Sequence, residues 1–167
     1  MQITFRKALP SELQSLLAFD HSVFKRSDWF DDEDWNLFES WWMIADGVHA
    51  GCCAFEKHVD FQEDLHRGRP NPRLRGSLYI ASTGILPRLQ GKGLGVLLKS
   101  WQISYARRYR FTRIVSNTRK SNLRMIRLNR KCGFKVIRTT RGYYHDPVES
   151  TVVMELDLTR ARRGRLC

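Results

Sequence analysis

The run Gln90-Gly91-Lys92-Gly93-Leu94-Gly95 is the stretch of this chain best suited to hold a ligand. Glycines at alternate positions let the backbone come close to a bound group. A helix starting there offers amide hydrogens with no partner inside the helix, and its dipole helps them hold phosphate oxygens. Arg88 and Lys92 add positive charge beside them. Two common phosphate motifs are absent. The dinucleotide fingerprint needs glycine where Val96 stands, and the triphosphate loop needs Ser or Thr where Gly93 follows Lys92. On the residues alone, a glycine-rich helix start with no ligand is an equal reading.

Other residues could serve chemistry, each with a plainer alternative. Asn122 and Asn129 are seven apart and share one helix face; capping and packing are their ordinary uses. Arg124, Arg127, Arg130 and Lys131 suit a phosphate-rich ligand or a solvated helix face. Glu56 and His58 are candidate bases on one strand, with a water chain as the alternative. Cys52, Cys53, Cys132 and Cys167 form no Cys-x-x-Cys pair and no metal spacing, so they read as buried thiols and no metal is expected.

The elements that must position these groups follow from periodicity. The chain has 167 residues and is 42% apolar, with nine Phe, five Trp and five Tyr. That is long enough for a core without disulfide or metal. A strand over 2–7 precedes a helix opened at Pro10-Ser11, with Ser11 and Gln14 as capping box. The aromatic and acidic stretch 24–42 is irregular or helical. Strands at 41–45 and 48–59 flank an Asp46-Gly47 hairpin turn. The Arg-, Pro- and Gly-rich run 60–76 reads as a surface excursion. A strand over 77–85 leads into the glycine turn, then a helix with Leu94, Leu97, Leu98, Trp101 and Tyr105 on its apolar face. A strand at 111–116, a helix from Ser121 or Asn122 through Cys132 with Gly133 after it, and strands at 134–137 and 151–158 complete a mixed α/β domain over 1–159. Residues 160–167 form a basic tail. No apolar run spans a membrane and the N-terminus lacks a signal pattern, so a cytoplasmic protein is expected.

In this order, Gln90-x-x-Gly93-x-Gly95 after a strand, then Asn122 through Met125, Leu128 and Asn129 to Gly133-Phe134, resembles the two conserved blocks of the GNAT superfamily of acetyl-CoA-dependent N-acetyltransferases. The resemblance covers residues 77–158 and implies a mixed sheet, splayed at its centre, with helices on both faces and acetyl-CoA in the cleft. By resemblance, Gly84, Ile85 and Leu86 pair with the pantetheine arm. The amides of Lys92, Gly93, Leu94, Gly95 and Val96 hold the pyrophosphate, with Gln90 and Gly91 in the same cofactor-binding turn, and Asn122 and Asn129 as a pair suit the cofactor's sulfur end. Family members often place a thiolate-protonating tyrosine where Asn129 stands, and an acid where Tyr79 or Asn117 stands. Asn129, Tyr79 and Tyr144 are therefore the catalytic candidates.

The implied reaction is direct acetyl transfer to a primary amine in a ternary complex, the amine belonging to a small molecule or a peptide. Residues 1–64 carry 5 Lys and Arg against 13 Asp and Glu, whereas residues 65–167 carry 24 against 4. An acidic, aromatic first half suits a cationic amine, with Trp29, Asp31, Asp32 and Tyr143 as substrate candidates. The rival classes are a basic nucleic-acid-binding module and a non-catalytic acetyl-CoA-binding domain. Aromatics cluster in the acidic half and do not interleave with arginines, which argues against nucleic acid. A Cys-His acyl-enzyme is the weakest reading. No membrane partner is expected, and a homodimer is allowed.

Overall fold

The computed structural model describes residues 1–58 and 76–159. Its strands are β1 (Ile3–Lys7), β2 (Glu39–Ala45), β3 (Val48–His58), β4 (Ser77–Ile85), β5 (Arg113–Arg119), β6 (Lys135–His145) and β7 (Val148–Asp157). Its α-helices are α1 (Leu13–Val23), α2 (Asp32–Leu37), α3 (Leu94–Arg108) and α4 (Leu123–Lys131). The strands form one seven-stranded sheet in the order β1-β2-β3-β4-β5-β7-β6. The pairs β1–β2, β2–β3, β5–β7 and β6–β7 are antiparallel. Among the described residues no helix is long and apolar enough to cross a membrane. The chain divides into two compact units, Met1–Glu56 with Ile80–Leu98, and Lys57–Tyr79 with Lys99–Cys167.

In the first unit the hairpin forms as its turn chemistry dictates. Asp46 and Gly47 both have positive φ, 47° and 81°. This is the twist that a two-residue turn needs to join right-twisted strands. Ala50 is an extra residue in β3, because Met43 pairs with Gly51 while Ile44 pairs with His49. The Ala50 carbonyl accepts the Leu86 amide at 3.0 Å. A Cβ on Gly51 would lie 2.9 Å from the Gly84 carbonyl oxygen. Only glycine therefore allows β3 to approach the end of β4 this closely. The core here packs Leu16 and Phe19 of α1 and Trp35 of α2 against Trp42, Cys52 and Ala54 of the sheet.

In the second unit, Val115, Asn117 and Arg119 of β5 share a face with Glu155, Val153 and Thr151 of β7, since side chains alternate along each strand. Ile114, Leu156, Val152 and Met154 occupy the other face. The helix α4 ends as expected, with Gly133 at φ 92° and the Phe134 amide donating to the Asn129 carbonyl at 3.0 Å.

Several sequence expectations change in detail. Helix entry does not use Ser11 and Gln14; the Glu12 carboxylate accepts from the Leu9 amide at 2.8 Å and from the two terminal guanidinium nitrogens of Arg6, also at 2.8 Å. A charged, bidentate acceptor outcompetes a serine hydroxyl for that role. Strand β5 starts at Arg113, because the Phe111 amide still closes α3 on the Ala106 carbonyl. Strand β6 runs to His145, so Tyr143 and Tyr144 lie within a strand and not between strands. Leu97 is 48% exposed, while Lys99 is buried with its ammonium 5.3 Å from the Phe134 ring centre. Cys52 and Cys53 are buried thiols outside any disulfide, as expected, with burial pushing the Cys52 thiol well up, whereas Cys132 is in a disulfide. The readings of residues 60–75 and 160–167 lie outside the described residues, as does the His58 side chain.

Candidate functional site

In the first unit, the end of β4 and the turn after it make one continuous backbone surface. Gly91 and Gly93 both sit in the left-handed region, at φ 79° and 81°, and nothing lies within 4 Å of where their Cβ atoms would be. Glycine is needed here for conformation, and the space in front of the turn is open. The first helical hydrogen bonds of α3 run from the Val96 and Leu97 amides to the Gly93 carbonyl, at 3.0 and 3.3 Å. The amides of Leu94 and Gly95 precede those bonds at the positive end of the helix. Val96, expected among the anion-holding amides, spends its hydrogen inside the helix. The Gln90 side-chain amide donates to the Ile85 carbonyl at 3.0 Å, tying the turn to the strand.

The strand end divides its backbone groups in two. The Leu86 amide and the Gly84 carbonyl face β3. Successive residues of a strand turn their backbone groups to opposite sides, so the Ile85 amide and carbonyl face away from it. Of the three residues expected to pair with a pantetheine arm, Ile85 thus turns its backbone away from β3, its carbonyl taking the Gln90 side chain. Gly84 is hemmed in as well: a Cβ there would lie 3.0 to 3.3 Å from Val23, Phe19 and Phe24. An unobstructed glycine turn and the first amides of α3 are the kind of surface that suits a pyrophosphate, and the Ile85 amide lies on the side of β4 away from β3. Among the described residues no three metal-ligating side chains converge.

The substrate candidates of the first unit have structural duties. Asp31 caps α2 by accepting the Asp34 amide at 2.9 Å, and Asp34 takes the Asp31 amide at 3.4 Å. Asp32 is exposed in the first turn. Trp29 is 37% exposed, stacks on His21 at 3.8 Å and donates from its indole nitrogen to the Phe24 carbonyl at 2.9 Å. Phe19, Trp35 and Trp42 are core, and Phe30 and Phe38 pack against them.

Asp20 is fully buried in the same unit. One carboxylate oxygen accepts the Phe30 amide at 3.0 Å, and the other has no partner among the described residues. Burial lifts its carboxyl from 3.8 to about 6, with the Phe30 hydrogen bond pulling the other way. The native state therefore holds this proton longer than the unfolded chain does. The stabilising contribution is full below pH 3.8 and is lost as pH rises through about 6. We expect urea midpoints to fall between about pH 4 and about pH 7, and Asp20→Asn to flatten that slope. An unchanged slope in the variant would remove Asp20 as its source. Glu12, drawn down to about 2 by Arg6, acts at lower pH: its contribution is present above 4.5 and is lost as pH falls through about 2.

In the second unit a polar group sits on the Val115–Val153 face. The Tyr79 hydroxyl donates a hydrogen bond to the Asn117 side-chain carbonyl oxygen. The Asn117 amide donates to the Thr151 hydroxyl at 3.3 Å, which in turn donates to the Thr118 carbonyl at 3.3 Å. This chain fixes the Asn117 amide so that its oxygen meets the tyrosine. Tyr79 and Tyr143 both pack against Val115 and Val153. Tyr144 crosses Tyr143 edge-on at 5.1 Å and lies under the Arg119 guanidinium at 4.2 Å. The sequence flagged Tyr79, Tyr143 and Tyr144 separately and noted Asn117 only as a missing acid. A bond between side chains so distant in the chain depends on strand pairing, which no local pattern encodes.

The two asparagines of α4 divide. Asn122 is the exposed N-cap, accepting the Met125 amide at 3.1 Å. Asn129 is fully buried and donates to the Met154 sulfur at 3.7 Å. Met154 lies on the opposite face of β7 from Val153, so Asn129 and the Tyr79–Asn117 pair are on different faces of the strand.

Residues 10–134 match the family described as Acetyltransferase (GNAT). A segment of 76 residues, 46% of this chain, is 34% identical to the uncharacterized N-acetyltransferase C1271.07c of Schizosaccharomyces pombe. That segment spans 45% of the relative's length. The fold is similar to the ribosomal-protein-S18-alanine N-acetyltransferase of Escherichia coli, with a TM-score of 0.78, 16% identity and coverage of 98% of this chain and 99% of that one. It is equally similar to NAA60 of Arabidopsis thaliana in complex with acetyl-CoA, with a TM-score of 0.78, 18% identity and coverage of 94% and 100%.

Proposed function

Because the chain belongs to the GNAT acetyltransferase family, we propose that it transfers an acetyl group from acetyl-CoA to a cationic primary amine. The observation that carries this reading is the glycine turn, left-handed at Gly91 and Gly93, opening α3 and tied to Ile85 by Gln90. Acetyl-CoA would supply an activated acyl group as a thioester. The amides of Leu94 and Gly95 would hold its pyrophosphate, with Lys92 and Arg88 screening the charge. The Ile85 amide, on the side of β4 away from β3, would anchor the amide-bearing arm.

Proton handling falls to Tyr79. Its hydroxyl donates to Asn117, and its oxygen can accept a hydrogen bond from the neutral amine or a water. As the new C–N bond replaces the thioester C–S bond, the phenol would give its proton to the departing thiolate and regain one from the amine nitrogen through water. Asn117 cannot itself take a proton, so it orients the tyrosine. Tyr143 and Tyr144 wall the same face. Asn122 and Asn129 serve the site by capping and packing α4, the helix of the second conserved block.

The cationic preference rests on Asp28, Asp31, Asp32, Glu33 and Asp34 close together in the acidic half. The test is release of coenzyme A across a panel of polyamines, peptides with free amino termini, aminoglycosides and neutral arylamines. Asp32→Asn with Glu33→Gln spares the Asp31–Asp34 cap. This variant should raise the Michaelis constant for cationic amines severalfold at low salt, leave that for neutral amines unchanged, and lose its effect as salt rises. Equal rates with charged and neutral amines would overturn the substrate class. Cofactor binding with no turnover on any amine would favour a non-catalytic acetyl-CoA-binding domain.

A further inference from the structure

The positive charge of residues 65–167 exceeds what the proposed cofactor needs. A pyrophosphate and a phosphate monoester together bear on the order of four negative charges. Residues 65–167 carry 24 Lys and Arg against 4 Asp and Glu. Much of the described excess collects at one edge of the sheet, where β5 starts, β7 ends and β6 starts, as the pairs Arg113–Asp157 and Lys135–Glu155 show. The last turn of α3 brings Arg107 and Arg108 there, followed by Tyr109 and Arg110. The last turn of α4 brings Arg130 and Lys131, followed by Lys135. Arg107, Arg108, Arg110, Arg130, Lys131 and Lys135 are all exposed. Among the described residues none of these six is in an ion pair. The acids of this edge are engaged elsewhere: Glu155 lies 3.8 Å from Arg113, and Asp157 accepts from the Thr159 amide and hydroxyl at 2.8 and 2.6 Å.

Helix dipoles alone do not account for it. A helix C-terminus carries about half a unit of negative charge, which one cation answers. Arg110 and Lys135 lie beyond the helices, and Arg110 has φ 59°. This is a left-handed position where glycine or asparagine is usual. Tyr109 is 48% exposed between two arginines, its ring 4.6 Å from Tyr105, which is 5.6 Å from Trp101. The sequence therefore does interleave an aromatic with arginines, at Arg107-Arg108-Tyr109-Arg110, contrary to the reading from composition.

We propose that this edge docks a single-stranded nucleic acid, its phosphates on the six cations and one base stacked on Tyr109. Guanidinium groups grip phosphate oxygens in pairs, and a held aromatic ring accepts any base by its face. The partner positions the enzyme and takes no part in acetyl transfer.

The test uses the full chain and a fluorescein-labelled mixed-sequence RNA of about 20 nucleotides, read by fluorescence anisotropy. With six phosphates neutralised, log Kd should rise with log salt with a slope of about 4. Neutralising Arg107, Arg108 and Arg110 to Gln should weaken binding at least tenfold and lower the slope by about 2. Tyr109→Ala should weaken it at least fivefold with the slope unchanged. Arg110→Gly separates binding from folding, because glycine suits the left-handed backbone: the melting temperature should hold or rise while RNA affinity falls. The acetyl-CoA thermal shift should be unchanged in every variant. Wild-type RNA affinity in these variants would overturn the proposal, as would displacement of the RNA by acetyl-CoA. Binding to phosphatidylserine vesicles without RNA binding would overturn it too, and assign the edge to a membrane surface.

Discussion

Gly93→Val is expected to abolish the thermal stabilisation that acetyl-CoA confers. Ligand at about 100 times its Kd should stabilise the wild-type fold by roughly 2.7 kcal/mol. Gly93 has φ 81°. An L-residue in that region costs about 1–2 kcal/mol, and a β-branched one fits worst. No atom lies within 4 Å of the position its Cβ would take, so the damage is to backbone conformation and not to packing. The turn must rotate out of the left-handed region, and the amides that open α3 rotate with it. Because the cradle is open, the unliganded variant should lose little stability beyond that conformational cost. Differential scanning fluorimetry with and without acetyl-CoA reads both quantities. Equal shifts in wild type and Gly93→Val would remove the glycine turn from the cofactor site and, with it, the main support for acetyl transfer.

Tyr79→Phe should lower kcat by about 10²–10⁴, the range that general acid–base groups contribute, with the KM for acetyl-CoA unchanged. The ring keeps its packing on Val115 and Val153, so the fold should survive. Only the hydroxyl, and its hydrogen bond to Asn117, is lost. Asn117→Ala should cost less, since it frees the tyrosine to reorient without removing it. It should also change the pH–rate profile, which a purely structural residue would leave in place. Asn129→Ala should behave differently again, reading chiefly in unfolding experiments, because this side chain is fully buried against Met154. Wild-type turnover in Tyr79→Phe would transfer proton handling to another group.

What was legible in the sequence is what short-range chemistry dictates. Asp46-Gly47 has to turn because few other dipeptides accept two positive φ values. Gly133 ends α4, and Gly91 and Gly93 shape the turn ahead of α3, for the same conformational reason. The spacing of Gln90, Gly93 and Gly95, with the Asn122 to Phe134 block, carried the family and hence the α/β sheet. Element ends were less legible. The difference between an Arg113 and a Phe111 start for β5 depends on whether the last turn of α3 closes on Ala106. The long β6 edge strand, with Val136 and Ile137 exposed, lacks the buried alternation by which strands are recognised.

Only the tertiary structure decided which flagged residues meet. Tyr79 and Asn117 are far apart in the chain yet share a hydrogen bond. A shift of one residue in either strand would turn its side chain to the other face. Asn129, the position the family comparison made most prominent, points to Met154 on the face away from that pair. Gln90 is a tie between turn and strand, and Asp31 and Asp34 spend their carboxylates on a helix cap. Side-chain chemistry can be named from sequence, because it belongs to the residue. Partnership cannot, because it depends on register and facing, which are set by pairings between segments distant in the chain.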